Sequence, residues 1–330
     1  MSRWFGLAAI AVISATAAMA QQREPLSSDC RQEIAALCKG TAGGLRSCLR
    51  TTLPKLSDRC RTAVSERAAG SAGPLPGTRE IAYGADPKQR IDLVVPASGT
   101  PAPLLLFIHG GGWMIGDKRS GAGVKAAHIN AKGWAFASTN YRLVPNATVE
   151  NQAADIAAAI ARLRADSAAT GIDPDRIVLM GHSAGAHLAA LVGTDPQYLR
   201  AAGVPMSAIE GVILLDGAGY EVAAQMHRSD NQVSAMYDAV FGPDPARQKR
   251  LSPMAHVAAP NALRWLILPI ERRRDSRAQS DGLATALRSA GADSKVVVVS
   301  GESHSSLNRG LGEDGDFATA EVDRFLAGTC

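Results

Sequence analysis

A three-layer α/β sandwich on a mostly parallel sheet, preceded by a small disulfide-stapled helical module, is the fold class this sequence predicts. Three observations predict it. Apolar runs rich in branched residues alternate with helical patterns from residue 79 onward, four of the five cysteines crowd into residues 30–60, and a stretch punctuated by Pro and Gly, 68–77, separates the two regions. Strands that are apolar on both faces need helices on both sides, which is the condition for a parallel sheet between two helical layers. A helical unit of ~40 residues buries too little apolar surface to be secure alone, so disulfides are its natural staple.

The chain of 330 residues is 46% hydrophobic, 20% charged and 5% aromatic, a globular rather than a disordered composition. Its 35 Lys and Arg against 31 Asp and Glu give a net charge of +4 without a basic block, which argues against nucleic-acid binding. Met1 to Ala20 read as an export signal: Arg3, an apolar stretch from Trp4 to Ile13, and Ala18-Met19-Ala20 before Gln21. An exported protein, periplasmic or secreted, is expected, with no transmembrane span once the signal is removed. Export to an oxidising compartment favours reading the cysteines as disulfides.

In the segment 21–67, Ile34, Leu37, Leu45, Leu49 and Val64 fall at helical spacing around Cys30, Cys38, Cys48 and Cys60, with Asp29 and Ser57 as N-caps and Gly43-Gly44 as a break. Three disulfide pairings are open. The nested one, Cys30 with Cys60 and Cys38 with Cys48, suits an antiparallel helix pair. Zinc is the rival reading, but the close C-x2-C pairs of zinc modules are missing. The pattern also resembles the cysteine-rich repeats of the Golgi apparatus glycoprotein family, a resemblance that implies a disulfide fold and no chemistry; the module's partner stays unknown. Cys330 is the odd thiol.

Beyond the linker, a domain over 78–330 is expected. A hairpin (Arg79 to Tyr83, Arg90 to Val95) precedes strands at Leu104 to His109, Ala135 to Tyr141, Arg176 to Met180, Gly211 to Leu215, Arg264 to Leu268 and Lys295 to Val299. Helical patterns at Ala122 to Lys132, Val149 to Ala165, Ser280 to Ser289 and Phe317 to Ala327 alternate with them. Residues 217–261 are too long for a simple connection and are read as a lid. Met226, Met236, Tyr237 and Phe241 would either line an acyl pocket beneath it or form the lid's own core.

Ligands of such sheets bind at the carboxyl ends of strands, so residues standing there are the informative ones. Gly181-His182-Ser183-Ala184-Gly185 lies between a strand and a helical stretch, as a strained turn that presents a nucleophilic serine requires. His109-Gly110-Gly111-Gly112-Trp113 follows another strand; its uncovered N–H groups suit a developing oxyanion, and Gly111, Gly112 and Ala184 are assigned as donors. No phosphate-cradling or dinucleotide glycine pattern competes. A serine hydroxyl needs a base, and His304, past the last predicted strand, is chosen over His227 and His256. His109, His182 and His187 are given packing and hydrogen-bonding roles. For the orienting carboxylate, Asp275 is favoured and Glu271 is the alternative, both following the strand Arg264 to Leu268; Asp216 is a third possibility with a structural role preferred.

Residues 79 to 330, with HGGGW, the Asn140-Tyr141-Arg142-Leu143-Val144-Pro145 segment and GHSAG, resemble the carboxylesterase type of α/β-hydrolase, most closely a bacterial branch similar to feruloyl esterase-like and kynurenine formamidase-like enzymes. The resemblance implies serine-dependent cleavage of a small carboxylic ester, or less often an amide, with neither cofactor nor metal. Where many relatives place a G-x-x-D ahead of the acid-bearing turn, this chain has Pro269-Ile270-Glu271-Arg272. The competing expectations are an amidase or formamidase, and a catalytically silent binding protein.

Overall fold

The sheet begins where the apolar runs do. In the computed structural model, which describes residues 26–39, 77–97, 101–228, 231–258, 260–328 and parts of 48–64, eight strands are β1 (Arg79–Ala82), β2 (Arg90–Val94), β3 (Ala102–Ile108), β4 (Ala135–Thr139), β5 (Ile172–His182), β6 (Ile209–Leu215), β7 (Arg264–Leu268) and β8 (Asp293–Val296). They lie side by side in the order β1-β2-β4-β3-β5-β6-β7-β8. The β1–β2 and β2–β4 pairs are antiparallel and the remaining five are parallel. The export segment 1–20, most of the linker and Cys330 lie outside the described residues.

Side chains alternate across the pleat, and this divides each central strand between two cores. Leu104, Leu106, Ile108, Leu179, Val212, Leu214 and Ile267 face the helices Val149–Ala165, Ala184–Thr194 and Arg274–Ser289. Leu105, Phe107, Val178, Met180, Ile213 and Leu266 face Gly123–Ala131 and Phe317–Ala327. Three layers result.

Two boundaries differ from expectation in ways that matter for the site. The helix expected from Ser280 starts at Arg274, six residues earlier than its apolar pattern, because its first turns are polar and show little periodicity. That places Asp275 inside a helical first turn. The last strand runs Asp293–Val296, and Val299 then makes an isolated parallel bridge to Ile270. This bridge carries the chain after β7 alongside the segment that leads to His304.

In the N-terminal region, the helix Ser28–Cys38 starts at an N-cap in which the Ser27 side chain accepts from the Cys30 N–H. The nested disulfides Cys30–Cys60 and Cys38–Cys48 are present. Among the described residues no helix is long and apolar enough to cross a membrane.

Candidate active site

Ser183 stands between β5 and the helix Ala184–Thr194 with φ 57° and ψ −121°, a conformation that a side chain adopts only where its surroundings enforce it. The surroundings are glycines and a neighbouring strand. The Ser183 N–H donates to the Leu215 carbonyl of β6 at 3.0 Å. A Cβ on Gly181 would lie 2.1 Å from the Gly185 carbonyl oxygen, and one on Gly185 would lie 2.1 Å from that of Ile108. Both obstacles are backbone. Gly185→Ala is therefore expected to lower stability by about 3 kcal/mol and to distort the elbow, read as a fall in Tm together with loss of activity.

The glycine-rich loop meets this elbow directly. A Cβ on Gly110 would fall 2.9 Å from Ser183 Cβ and 2.8 Å from the His182 carbonyl oxygen. Gly111 and Gly112 both have positive φ, 126° and 60°, and so does Trp113 at 61°. Among the described residues the N–H groups of Gly111 and Gly112 bond to no protein acceptor, and that of Ala184, at the first position of its helix, has no intrahelical one. These three N–H groups stand on the two segments that meet where Gly110 approaches Ser183.

Trp113 anchors the loop. Its carbonyl accepts from Gln152 Nε2 at 2.7 Å and from the Val144 N–H at 3.0 Å, which fixes the left-handed backbone. Its indole N–H donates to His187 Nδ1 at 3.2 Å, and His187 Nε2 donates to the Leu251 carbonyl at 2.8 Å. That pattern requires neutral His187, and burial pushes its pKa down to about 4. The helix Asn231–Phe241 adds edge-on contacts from Tyr237 and Phe241 to the same indole, and Met236 Sδ lies against Gly112. Tyr237 and Phe241 are buried in this aromatic cluster, whereas Met226 and Met236 are half-buried. His109 is buried with Nδ1 2.7 Å from the Gly110 carbonyl and its ring stacked on Tyr141; burial pushes it down to about 4, so it stays neutral and orients the loop.

His304 opens the helix His304–Gly310, whose N-terminus is closed by a reciprocal Ser303–Ser306 capping box. His182 Nε2 donates to the His304 carbonyl at 2.8 Å, and the two rings are 4.5 Å apart, so the residue preceding Ser183 packs against the histidine. Burial, helped by His304, pushes His182 down to about 3 and keeps it neutral. Lys125, buried on the helix Gly123–Ala131, donates to the Asn308 carbonyl and ties down the far end of the His304 helix.

The carboxylate that reaches His304 is Asp216, not the favoured Asp275. Asp216 directly follows β6 with φ 45°, its side chain is 0% exposed, and its Oδ2 lies 2.6 Å from His304 Nδ1. Its Oδ1 accepts from the Ile270 N–H at 3.2 Å. Burial pushes its pKa up, but the His304 hydrogen bond and the Arg273 charge outweigh this and hold it at about 2. Asp275 instead pairs with Arg273 at 2.9 Å and accepts from Gln225 Nε2 at 3.1 Å, and Glu271 is exposed. The physical reason is the bridge between Ile270 and Val299, which turns the chain so that Arg273 comes to His304 and Asp275 is carried on into the helix.

Arg273 is the site residue that sequence reasoning missed. One of its terminal nitrogens lies 3.0 Å from the Asp216 carbonyl oxygen, 3.1 Å from Asp216 Oδ2 and 3.1 Å from His304 Nδ1. Nδ1 cannot both donate to Asp216 and accept from Arg273. The shorter, carboxylate contact takes the Nδ1 proton, and the guanidinium bonds to Asp216. The only sequence signal was the run Glu271-Arg272-Arg273-Arg274-Asp275, which reads as solvated ion pairs.

Comparison with known proteins agrees with this architecture. The chain is 31% identical over 250 residues to the probable isoprenylcysteine alpha-carbonyl methylesterase ICMEL1 of Arabidopsis thaliana, covering 69% of this chain and 51% of that protein. It is 36% identical over 127 residues to Esterase LipC of Mycobacterium tuberculosis, covering 36% of this chain and 31% of that one. The chain thus spans about half the length, or less, of these curated relatives. Among solved structures, esterase B from Lactobacillus rhamnosis superposes with a TM-score of 0.66 at 22% identity, covering 82% of this chain and 90% of that one. A thermophilic esterase from Thermogutta terrifontis gives 0.62 at 22%, covering 79% and 96%; at these identities the likeness is one of fold, that of the α/β-hydrolases. The BD-FAE family model matches residues 91–267, more than half of the sequence, and the chain belongs to that family.

Proposed function

We propose that this protein is an exported serine hydrolase that cleaves small carboxylic esters through an acyl-enzyme. The observation that carries the reading is a left-handed Ser183 at a strand-to-helix turn, next in sequence to His182, whose ring packs 4.5 Å from that of His304, with His304 Nδ1 2.6 Å from a buried carboxylate. Membership of the BD-FAE family and the esterase names of its relatives support it. The signal-like start and the two disulfides support export.

In this mechanism His304 Nε2 takes the Ser183 proton as Oγ attacks the ester carbonyl, and the Nδ1–H of the imidazolium goes on donating to the ionised Asp216. The tetrahedral oxygen is bound by the N–H groups of Gly111, Gly112 and Ala184. Collapse breaks the C–O bond to the alcohol, which leaves with the proton from His304. Water, deprotonated by the same imidazole, then releases the acid and restores the serine.

The test is stoichiometric labelling by a fluorophosphonate, followed by peptide mapping. One adduct per chain on the peptide containing Ser183, with a parallel loss of p-nitrophenyl acetate turnover, is the expected result. Folded protein that neither labels nor turns over would overturn the reading in favour of a silent binding protein. Comparison of an aryl acetate with the matching anilide, run alongside, measures ester against amide preference.

A further inference from the structure

The N-terminal module has no place in the chemistry above, yet its core packs against the glycine-rich loop through Ile115. Cys30, Ile34, Leu56, Cys60 and Val64 form a small apolar cluster, and among the described residues beyond the linker Ile115 packs against it. Ile115 packs at the same time against the main core on one face of the sheet. It also closes the oxyanion loop. The N–H groups of Met114 and Ile115 donate to the Gly111 carbonyl at 3.2 and 3.1 Å. The position of a Cβ on Gly111 would be 1.9 Å from the Ile115 carbonyl oxygen and 3.1 Å from Ile115 Cγ1, so any shift of Ile115 moves the Gly111 peptide. Gly116 folds back in the same way, with its Cβ position 2.4 Å from the Gly110 carbonyl oxygen. The loop is a tight coil whose Ile115 side chain packs against the module's core.

We propose that the disulfide-stapled module is a buttress for the oxyanion loop: by packing on Ile115 it holds the Gly111 and Gly112 N–H groups aimed at the substrate oxygen. Ile115 is then a positioning residue. The catalytic consequence rests on the hydrolase reading above, whereas the mechanical coupling between module and loop does not. An oxyanion donor acts on the transition state more than on the bound ester, so loosening the loop lowers kcat and leaves KM nearly unchanged. The staples matter because a unit this small keeps its core only when its chain is cross-linked.

The experiment uses the whole chain in five forms: wild type, Ile115→Ala, Ile115→Leu, Cys30→Ala/Cys60→Ala, and the double cysteine variant combined with Ile115→Ala. Ile115→Ala is expected to reduce kcat about tenfold with KM within about twofold, and Ile115→Leu to recover most of it. The double cysteine variant should show the same kcat-specific loss, and adding Ile115→Ala to it should cost little more, because both break one contact. Hydrogen exchange is read in the same samples. Peptides spanning 109–118 should exchange about tenfold faster in Ile115→Ala and in the cysteine variant, through release of the Met114 and Ile115 N–H groups. Faster exchange in 26–39 of the cysteine variant, with 109–118 and kcat at wild-type values, would overturn the buttress. Fully additive losses in the combined variant would overturn it as well. A loop that responds in exchange, in a wild type without esterase turnover, would uphold the buttress and sink the hydrolase reading instead.

Discussion

Ser183→Ala is expected to lower kcat for p-nitrophenyl acetate by about 10⁶-fold, the scale set by removing the nucleophile of a serine protease whose triad acts as one unit. The backbone at 183 is held at φ 57° by the Ser183 to Leu215 hydrogen bond and by Gly181 and Gly185, none of which involves the hydroxyl. Alanine therefore keeps the turn, and the variant's stability should stay within about 0.5 kcal/mol of wild type. Ser183→Gly gives a sharper comparison. It is equally inactive, but glycine adopts positive φ without steric cost, so it should be about 1 kcal/mol more stable than the wild type. Inactivity joined to a gain in stability is what strain held at a working site produces, and it separates a nucleophile from a mere packing residue. Residual activity within tenfold of wild type in either variant would remove Ser183 from the mechanism. The surviving background should come from the N–H groups of Gly111, Gly112 and Ala184, which the substitution leaves in place.

How far such a site is legible in sequence depends on what fixes each part. The placement of Ser183 and of the Gly111-Gly112 pair just beyond strands was legible because each comes soon after an apolar run, and because the crowding that requires Gly181 and Gly185 leaves glycine as a visible mark. The position of His304 beyond the last apolar run could be read from the sequence, whereas its contact with Asp216 could not. The disulfide module was legible in its cysteine spacing, though its place against Ile115 was not, since a long-range apolar contact leaves no local trace. The acid was misassigned for a similar reason. Strand order puts β6 beside β7, and a single backbone bridge, Ile270 to Val299, decides which residue past either strand faces His304. Neither the bridge nor the φ of 45° at Asp216 has a sequence signature, because aspartate adopts left-handed backbone only where tertiary contacts favour it. Arg273 was hidden by composition: three successive arginines read as one exposed face, although the middle one is half-buried between two aspartates.

The resulting assignment makes the two carboxylates experimentally separable. Asp216→Asn is expected to lower kcat by about 10⁴-fold, and Asp275→Asn by less than about tenfold. The asymmetry follows from the geometry around Nδ1. With Asp216 ionised, the Nδ1 proton is directed to Oδ2 at 2.6 Å, and Nε2 is left free to accept from the serine. Without that charge, the Arg273 nitrogen 3.1 Å away becomes the dominant neighbour and donates to Nδ1, so the ring proton moves to Nε2, where it blocks the attack. Loss of Asp275 removes one partner of Arg273 and leaves the His304–Asp216 pair in place. The combined variant Asp216→Asn/Arg273→Gln tests the tautomer argument itself: removing the competing donor should recover about tenfold over Asp216→Asn alone, an outcome opposite to that expected if Arg273 only stabilised the loop. Because Asp216 is held at about 2, its contribution to stability is present above the ordinary aspartate range and is lost as pH falls through about 2. Activity lost on acidification well above that pH must therefore come from another group. Equal losses from Asp216→Asn and Asp275→Asn, measured as kcat at neutral pH with both proteins folded, would return the acid to the turn after β7.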